Sequence, residues 1–219
     1  MNHNMVLAVL VGMTAAGLAF WKQAGADEER LVTPAAQVQQ ADAIFAGGCF
    51  WCVEADFDKV DGVLETISGY TGGTLDNPTY EQVSHTETGH YEAVRVIYDA
   101  NVVSYEELVD YFWRHIDPTD PEGQFCDKGS SYRSAIFVDT AGERELVEAS
   151  KSELDQAGFL PGPVVTEILD ESTFWPAEKY HQNYYEKKPL KYKFYRTACG
   201  RDGRVKEVWE DAPSELGAM

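Results

Sequence analysis

Hydrophobic and polar positions along the chain recur in short segments that predict strands interleaved with helices. A short apolar run at 43–46 ends in Gly47-Gly48, which predicts a buried strand followed by a tight turn. From Cys49 to Val60 the apolar residues recur at helical spacing, so we expect a helix directly after the turn. Further strands are predicted at 63–70, 93–98, 134–138 and 164–169, and further helices at 104–115, 141–157 and 176–187.

Boundary residues support several of these elements. Ser104 with Glu107 forms the pattern of a capping box at the start of a helix. Pro176 suits the first turn of another helix, because its missing N–H has no partner there in any case. The segment 117–129 is a loop rich in Pro, Gly and Asp, and the tail towards Met219 is less regular. Strands alternate with helices without a strict repeating unit, which favours a mixed sheet with helices packed on it.

The N-terminal segment has the pattern of an export signal. Residues 5–20 are apolar and uncharged. This run is shorter than the roughly 20 residues of a membrane span, but it has the length of a signal-peptide core. Ala24-Gly25-Ala26 supplies small residues for cleavage before Asp27, although no Lys or Arg precedes the run, so a retained anchor or a buried helix are the alternatives. The predicted divisions are 1–26 signal peptide or anchor, 27–40 polar linker, 41–211 catalytic domain and 212–219 tail.

Composition and charge narrow the class of protein. The chain has 219 residues, of which 44% are hydrophobic, and this is enough for one folded domain with a sizeable core. The formal net charge of −19 argues against a nucleic-acid partner, because the phosphate backbone would be repelled. The acidity indicates a well-solvated surface.

The four cysteines are the candidate chemistry. Cys49 and Cys52 have the C-x-x-C spacing of a redox pair, whereas Cys126 and Cys199 stand alone. A structural zinc site usually needs two close pairs, so it is weakly supported, while a structural disulfide and thioredoxin-like exchange remain open. At the start of a helix, Cys49 would face unpaired N–H groups that favour its thiolate. We therefore expect Cys49 to be the reactive cysteine.

Ordered blocks from residue 45 to residue 199 resemble the A-type peptide methionine sulfoxide reductases. Their order along the chain matches the family order, which makes coincidence negligible. The blocks are 47–54 (GGCFWCVE), 69–73 (GYTGG), 77–80 (NPTY), 88–94 (TGHYEAV), 112–118 (FWRHIDP), 129–136 (GSSYRSAI) and 177–184 (AEKYHQNY).

The resemblance implies a fold and an activity. The expected fold is α/β (α+β), a two-layer sandwich with a central mixed sheet and packed helices in a ferredoxin-like plait. The expected reaction is reduction of the S epimer of methionine sulfoxide, free or in proteins, through a sulfenic acid on Cys49 and an intramolecular disulfide. The family implies a monomer with no bound metal or organic cofactor, and with electrons from thioredoxin or a thioredoxin-like donor.

The resemblance also implies the roles of particular side chains. Glu92 matches the acid that protonates the sulfoxide oxygen, which requires burial to raise its pKa. Tyr80 and Tyr132 match the hydrogen-bond donors to that oxygen. Phe50 and Trp51 match the pocket for the S-methyl group.

The substrate-binding and resolving residues are the remaining expectations. Asp127 matches a residue that helps to bind the substrate near its backbone amide. Cys199 lies where many family members carry a resolving cysteine, and Gly200 and Gly203 would let that tail move. Cys52, one helical turn from Cys49, is the second candidate, and Cys126, expected to be a small buried residue, is the third.

Two other functions fit part of the pattern. A thiol–disulfide exchange enzyme would use Cys49 and Cys52 alone and would not need Glu92. A binding module for oxidised methionine would keep the cysteines as structural bridges and would show no turnover. An acid and phenols that converge on one cysteine would argue against both.

Overall fold

The computed structural model describes residues 37–213, so the predicted signal segment and most of the predicted linker lie outside it. Within these residues, no helix combines the length and the apolar character needed to cross a membrane. The strands are β1 (Gln40–Gly47), β2 (Val63–Thr71), β3 (Tyr91–Asp99), β4 (Gly123–Gln124), β5 (Asp127–Lys128), β6 (Ser134–Val138), β7 (Glu167–Asp170) and β8 (Trp175–Pro176). The α-helices are α1 (Phe50–Phe57), α2 (Tyr80–His85), α3 (Tyr105–Trp113), α4 (Ala141–Gln156), α5 (Tyr184–Lys187), α6 (Pro189–Cys199) and α7 (Arg201–Trp209).

The main sheet is mixed and has the strand order β7-β6-β1-β3-β2-β8. All neighbouring strands pair antiparallel except β6 and β7, which pair parallel. The four inner strands have the spatial order β6-β1-β3-β2. Apart from the short α2 between β2 and β3 and the β4–β5 hairpin before β6, their connection is β1-α1-β2-β3-α3-β6, which is the ferredoxin-like βαββαβ arrangement. The expected mixed sheet with packed helices is confirmed.

The two faces of the sheet are covered differently, because successive side chains of a strand point to opposite faces. In β1, Phe45 belongs to the large apolar core shared with α1, α3 and α4. Its neighbours Ile44 and Ala46 belong to a smaller apolar cluster with Phe137 on the other face. Ser104 and Glu107 form the predicted capping box of α3, one of the helices of the core layer.

The predicted helix at 176–187 is wrong for most of its length. Pro176 lies in β8, where it pairs with Gly69 of β2 at the edge of the sheet. Proline has no N–H to give to a further strand, so an edge position is one of the few that a sheet offers it. The chain becomes helical again only at Tyr184. The strand predicted at 164–169 is also shorter and begins at Glu167.

The C-terminal region is more regular than expected, because α6 and α7 occupy most of it. Gly200 joins them in a left-handed conformation with φ of +72°, which suits glycine. Gly203, expected to loosen the tail, lies inside α7. Cys199 is therefore fixed at the end of a helix rather than carried by an irregular segment.

The loop at 117–129 carries the short β4–β5 hairpin, which brings Asp127 towards the start of α1. Gln124 of this hairpin packs against the turn before α1, where a Cβ on Gly48 would lie 2.6 Å from its Cβ. Gly48 also has a φ of +82°, so both the close approach and the conformation call for glycine. The hairpin and the cysteine turn are thus held together.

Candidate active site

Cys49 lies at the N-cap of α1, directly after the turn that follows β1. Its side chain is 6% exposed, and Phe50 and Cys52 beside it are also buried. The strand-turn-helix shape predicted around this cysteine is confirmed.

Glu92 lies within the same buried region as the start of α1. It belongs to β3, is 1% exposed, and its Oε2 accepts a hydrogen bond from the backbone N–H of Phe50 at 3.1 Å. Burial raises the pKa of Glu92 to about 8, with smaller contributions from Asp127 and Cys52. The carboxyl group is therefore mostly protonated at neutral pH, as an acid catalyst requires.

The thiol of Cys49 does not gain the low pKa expected of a cysteine at a helix start. Its side chain accepts no hydrogen bond from the helix, and the Phe50 N–H goes to Glu92 instead. Burial raises the pKa of Cys49 well above its ordinary value, and the neighbouring Cys52 and Glu92 raise it further. Desolvation outweighs the partial positive charge of a helix end, which acts only within the first turn.

Cys52 carries the lowered pKa of the pair. Its hydrogen bond with Cys49 lowers the pKa of the Cys52 thiol to about 7, and the positive charges of Arg201 and Arg196 contribute, although burial opposes them. The two thiols of the buried pair are thus shifted in opposite directions, with the pKa of Cys49 raised and that of Cys52 lowered.

An aromatic pocket surrounds Phe50 and Trp51 as expected. The Phe50 ring lies 5.0 Å from the His181 ring and 6.3 Å from the Tyr80 ring, measured between centroids. Trp51 stacks on Tyr184 at 3.8 Å, and its Nε1 donates to Nδ1 of His181 at 2.9 Å. Such walls suit a small apolar group, because rings contribute area and polarisability and exclude water.

Two tyrosines converge on this pocket. The hydroxyl groups of Tyr80 and Tyr132 lie near each other, and both lie near Glu92. Burial, followed by the charge of Glu92, raises the pKa of Tyr80 to about 12 and also raises that of Tyr132. Both phenols therefore keep their protons and serve as neutral donors.

Tyr195 is a site residue that the sequence analysis missed. Its hydroxyl donates to Oδ2 of Asp127 and lies close enough to Cys49 to influence the pKa of that thiol. Burial, then Cys49 and Asp127, raise the pKa of Tyr195, so it remains a donor. Tyr195 lies four residues before Cys199, a spacing that places both on the same face of a helix. This signal could not be used, because the tail was predicted to be irregular.

Arg201 was also missed, although it follows the quoted Cys199-Gly200 pair directly. Its guanidinium, 2% exposed, donates to the backbone oxygen of Gly47 at 3.0 Å and of His115 at 2.8 Å. The start of α7 is thus tied to the turn before Cys49, which brings a positive charge near Cys52. Nothing in one sequence marks an arginine as buried.

Cys126 and Cys199 form a disulfide with their Cα atoms 5.0 Å apart, whereas Cys49 and Cys52 are free thiols. Cys126 is exposed, so its expected burial is wrong. The hairpin that carries it turns outward at Phe125, which has a φ of +58°. Among the described residues, Cys126, Asp127 and Cys199 also have the spacing of metal ligands, but their two sulfurs are joined to each other.

The comparisons agree with this geometry. The sequence profile of the family described as "Peptide methionine sulfoxide reductase" matches residues 41–213. The chain belongs to this family. A "Peptide methionine sulfoxide reductase MsrA" of Bacillus subtilis is 50% identical over 76% of this chain and 94% of its own length. An "MsrA/MsrB" protein of Vibrio cholerae is 45% identical over 92% of this chain, but the chain spans about half of that relative, 53%.

A solved structure extends the likeness to the fold. "Methionine sulfoxide reductase A of Corynebacterium diphtheriae" superposes with a TM-score of 0.63 at 35% identity, covering 71% of this chain and 78% of its own. The chain is thus a methionine sulfoxide reductase of the A type, an oxidoreductase that acts on a sulfur group.

Proposed function

We propose that the chain reduces the S epimer of methionine sulfoxide with Cys49 as the nucleophile and Glu92 as the acid. The observation that carries this proposal is the position of Glu92. Its carboxyl group is buried, is bonded to the N–H of Phe50 beside Cys49, and has a pKa of about 8. A sulfoxide is a poor electrophile until its oxygen is protonated, and this acid holds a proton at neutral pH.

The first step forms a bond between Cys49 Sγ and the sulfoxide sulfur. Glu92 gives its proton to the sulfoxide oxygen, while the Cys52 thiolate accepts the proton of Cys49 through their hydrogen bond. As the oxygen passes to Cys49, the sulfur–oxygen bond of the substrate and the new bond between the two sulfurs both break. Methionine leaves reduced by two electrons, and Cys49 is left oxidised as a sulfenic acid.

The pocket orients the sulfoxide for this attack. Phe50 and Trp51 hold the S-methyl group, and Tyr80 and Tyr132 donate to the oxygen as it gains negative charge. Asp127 lies with Tyr195 on the side of the β4–β5 hairpin, where it accepts from the substrate's backbone amide. These contacts fix the positions of the methyl group, the oxygen and the rest of the methionine side chain around the sulfoxide sulfur. Only one of the two epimers can place all three substituents correctly.

Cys52 resolves the sulfenic acid. It is the free thiol one helical turn after Cys49, whereas Cys199, the first candidate on the family pattern, is joined to Cys126 in this structure. The Cys52 sulfur attacks Cys49, a disulfide forms, and the sulfenic oxygen leaves as water.

The partners and the location follow from the same proposal. Substrates are oxidised proteins or peptides and free methionine sulfoxide, and a thioredoxin-like dithiol returns the enzyme to the thiol state. We also propose a monomer located outside the cytoplasm, with the apolar run at 5–20 and the small residues before Asp27 as the support. N-terminal sequencing of the protein from its own cells tests the location, and Asp27 as the first residue is the expected result.

The reaction is tested with separate S and R epimers of a peptide methionine sulfoxide and dithiothreitol as the reductant. We expect turnover of the S epimer alone, and no turnover by Cys49→Ser. Circular dichroism of the variant controls for its folding. Absence of turnover by folded, fully reduced wild-type protein would favour disulfide exchange or simple binding instead.

A further inference from the structure

The four cysteines differ in how far they are exposed to solvent. Cys49 and Cys52 are 6% and 2% exposed, Cys199 is half-buried, and Cys126 is exposed. An external dithiol must bring its own sulfur in line with the disulfide that it reduces. A disulfide between Cys49 and Cys52 in the substrate pocket is therefore hard for a folded reductant to reach. The external dithiol must react first at another cysteine.

Two side chains connect the buried pair with the second disulfide. The Tyr195 hydroxyl donates to Asp127 and lies close enough to Cys49 to oppose the rise in its pKa. The Cys199 sulfur lies 3.9 Å from Oδ2 of the same Asp127, one helical turn after Tyr195 on α6. Cys199 thus lies on the inner side of its disulfide, next to the groups that contact the nucleophile, and Cys126 lies on the outer side.

The two sulfurs of this disulfide also differ as leaving groups. The backbone N–H of Cys126 donates to the sulfur of Cys199 at 3.2 Å. Exchange is faster when the leaving sulfur is stabilised as a thiolate, and a hydrogen bond to that sulfur does this. When a thiolate attacks Cys126, the sulfur of Cys199 is the leaving group, and this N–H stabilises it as a thiolate. When a thiolate attacks Cys199, the sulfur of Cys126 is the leaving group, and no such donor contacts it among the described residues.

We propose that Cys126 is the cysteine at which an external dithiol enters, and that Cys199 carries the electrons inward to Cys49 and Cys52. This inference rests on the proposed function, since it needs an oxidised pair to be reduced. It assigns a catalytic role to a hairpin residue next to Asp127, so the loop that binds the substrate also presents the sulfur that meets the reductant.

Each exchange step balances. A thiolate of the external dithiol attacks Cys126, the bond between Cys126 and Cys199 breaks, and Cys199 leaves as a thiolate. The second external thiol then attacks the mixed disulfide, which frees Cys126 and oxidises the dithiol. Cys199 attacks the disulfide of Cys49 and Cys52, and Cys126 attacks Cys199 in the resulting mixed disulfide. The bond between Cys126 and Cys199 forms again, and both buried thiols are restored.

The direct test traps the entry point on the full-length wild-type chain. The protein is fully reduced and desalted, and it is then given excess S sulfoxide without reductant. A thioredoxin whose second active-site cysteine is serine is added, because it attacks a disulfide and cannot leave it. Mass spectrometry of the trapped peptide is expected to find Cys126. A mixed disulfide at Cys199, Cys52 or Cys49 would overturn the inference.

The same experiment separates the two proposals. Methionine formed before thioredoxin is added reports the reaction at Cys49. Absence of methionine would remove the proposed function itself, whereas methionine followed by trapping at another cysteine would remove only the role of Cys126.

A variant tests the role in sustained turnover. Cys126→Ser should lose at least about tenfold in steady-state rate with wild-type thioredoxin, because the reductant must then reach a half-buried sulfur. Lys128→Ser, an exposed change in the same hairpin, is the matched control and should turn over at the wild-type rate. A Cys126→Ser variant as fast as this control would contradict the inference, and the trap on the wild-type chain remains decisive if the variant does not fold.

Discussion

Cys49 and Cys52 lie at the start of α1 with both sulfurs buried, whereas Cys126 and Cys199 join an exposed hairpin to the end of α6. The first pair shares its surroundings with a neutral acid, phenols and an aromatic pocket, which is what oxygen transfer from a sulfoxide needs. The second pair has solvent access and a backbone donor, which is what exchange with another protein needs. The chain thus places sulfoxide reduction at a buried pair of cysteines and exchange with an external thiol at a more exposed pair, so no single cysteine has to serve both reactions.

The largest expected effect comes from removing the acid at the buried pair. Glu92→Ala should lower the rate of the first methionine formed by reduced enzyme by about 10³-fold, the range of a lost general acid. Glu92→Gln keeps the acceptor for the Phe50 N–H but has no proton to transfer, so it should lose nearly as much. Rapid-quench kinetics measures this rate. Reduction of the Cys126–Cys199 disulfide by dithiothreitol should not change, and equal losses in both steps would break the proposed separation.

The two regions should also differ in their dependence on pH. The first methionine should form faster as pH rises towards about 7, where Cys52 becomes a thiolate, and slower above about 8, where Glu92 loses its proton. Each limb should fall by about tenfold per pH unit once its group is in the wrong form. Cys52→Ser should move the acidic limb to higher pH, because Cys49 must then lose its proton without a neighbouring base, and a limb that stays near pH 7 would contradict a base at Cys52. The rate at which the external dithiol reduces the enzyme through Cys126 should depend on pH through the pKa of the external thiol instead.

A stability measurement reports the cost of the buried acid. The folded pKa of Glu92, about 8, lies above its ordinary value of 4.5, so its contribution to stability is complete below pH 4.5 and is lost as pH rises through 8. Glu92→Gln does not titrate, and at pH 8 it should raise the free energy of unfolding by about 4 kcal/mol, at roughly 1.4 kcal/mol per pKa unit. The gain should vanish near pH 4.5. Unfolding by denaturant at both pH values measures this gain. An equal gain at both pH values would show that ionisation of Glu92 is not its cause.

The smallest expected effect concerns His181, which positions Trp51. Burial lowers the pKa of His181 to about 4, so the neutral ring accepts the Trp51 N–H at Nδ1 and carries its own proton on Nε2. His181→Leu removes this acceptor and should raise KM by about fivefold with little change in kcat, the loss expected for one hydrogen bond. His181→Gln restores an acceptor and should recover most of the affinity. Trp51 fluorescence that is unchanged in the Leu variant would argue against the positioning role.

Local patterns predicted much of the fold because they depend on neighbouring residues. The Gly47-Gly48 turn, the helix after Cys49 and the capping box at Ser104 all lie where the chain pattern indicated. The pattern failed at Pro176, whose edge-strand role depends on pairing with Gly69, more than one hundred residues earlier. It also failed for α6 and α7, because α6 has no buried residue and α7 has only Arg201 and Val208, so neither carries an apolar stripe that faces the core.

The sequence by itself determined the family, the identity of the nucleophile's motif and the nearby groups of the site, since ordered blocks and local spacing carry that information. Only the tertiary structure decided the directions in which the two thiol pKa values shift, because burial raises that of Cys49, whereas Arg201 and Arg196, far along the chain, help to lower that of Cys52. It also decided that Cys126 pairs with Cys199. Desolvation and long-range contacts are properties of the packed chain, and no local pattern encodes them.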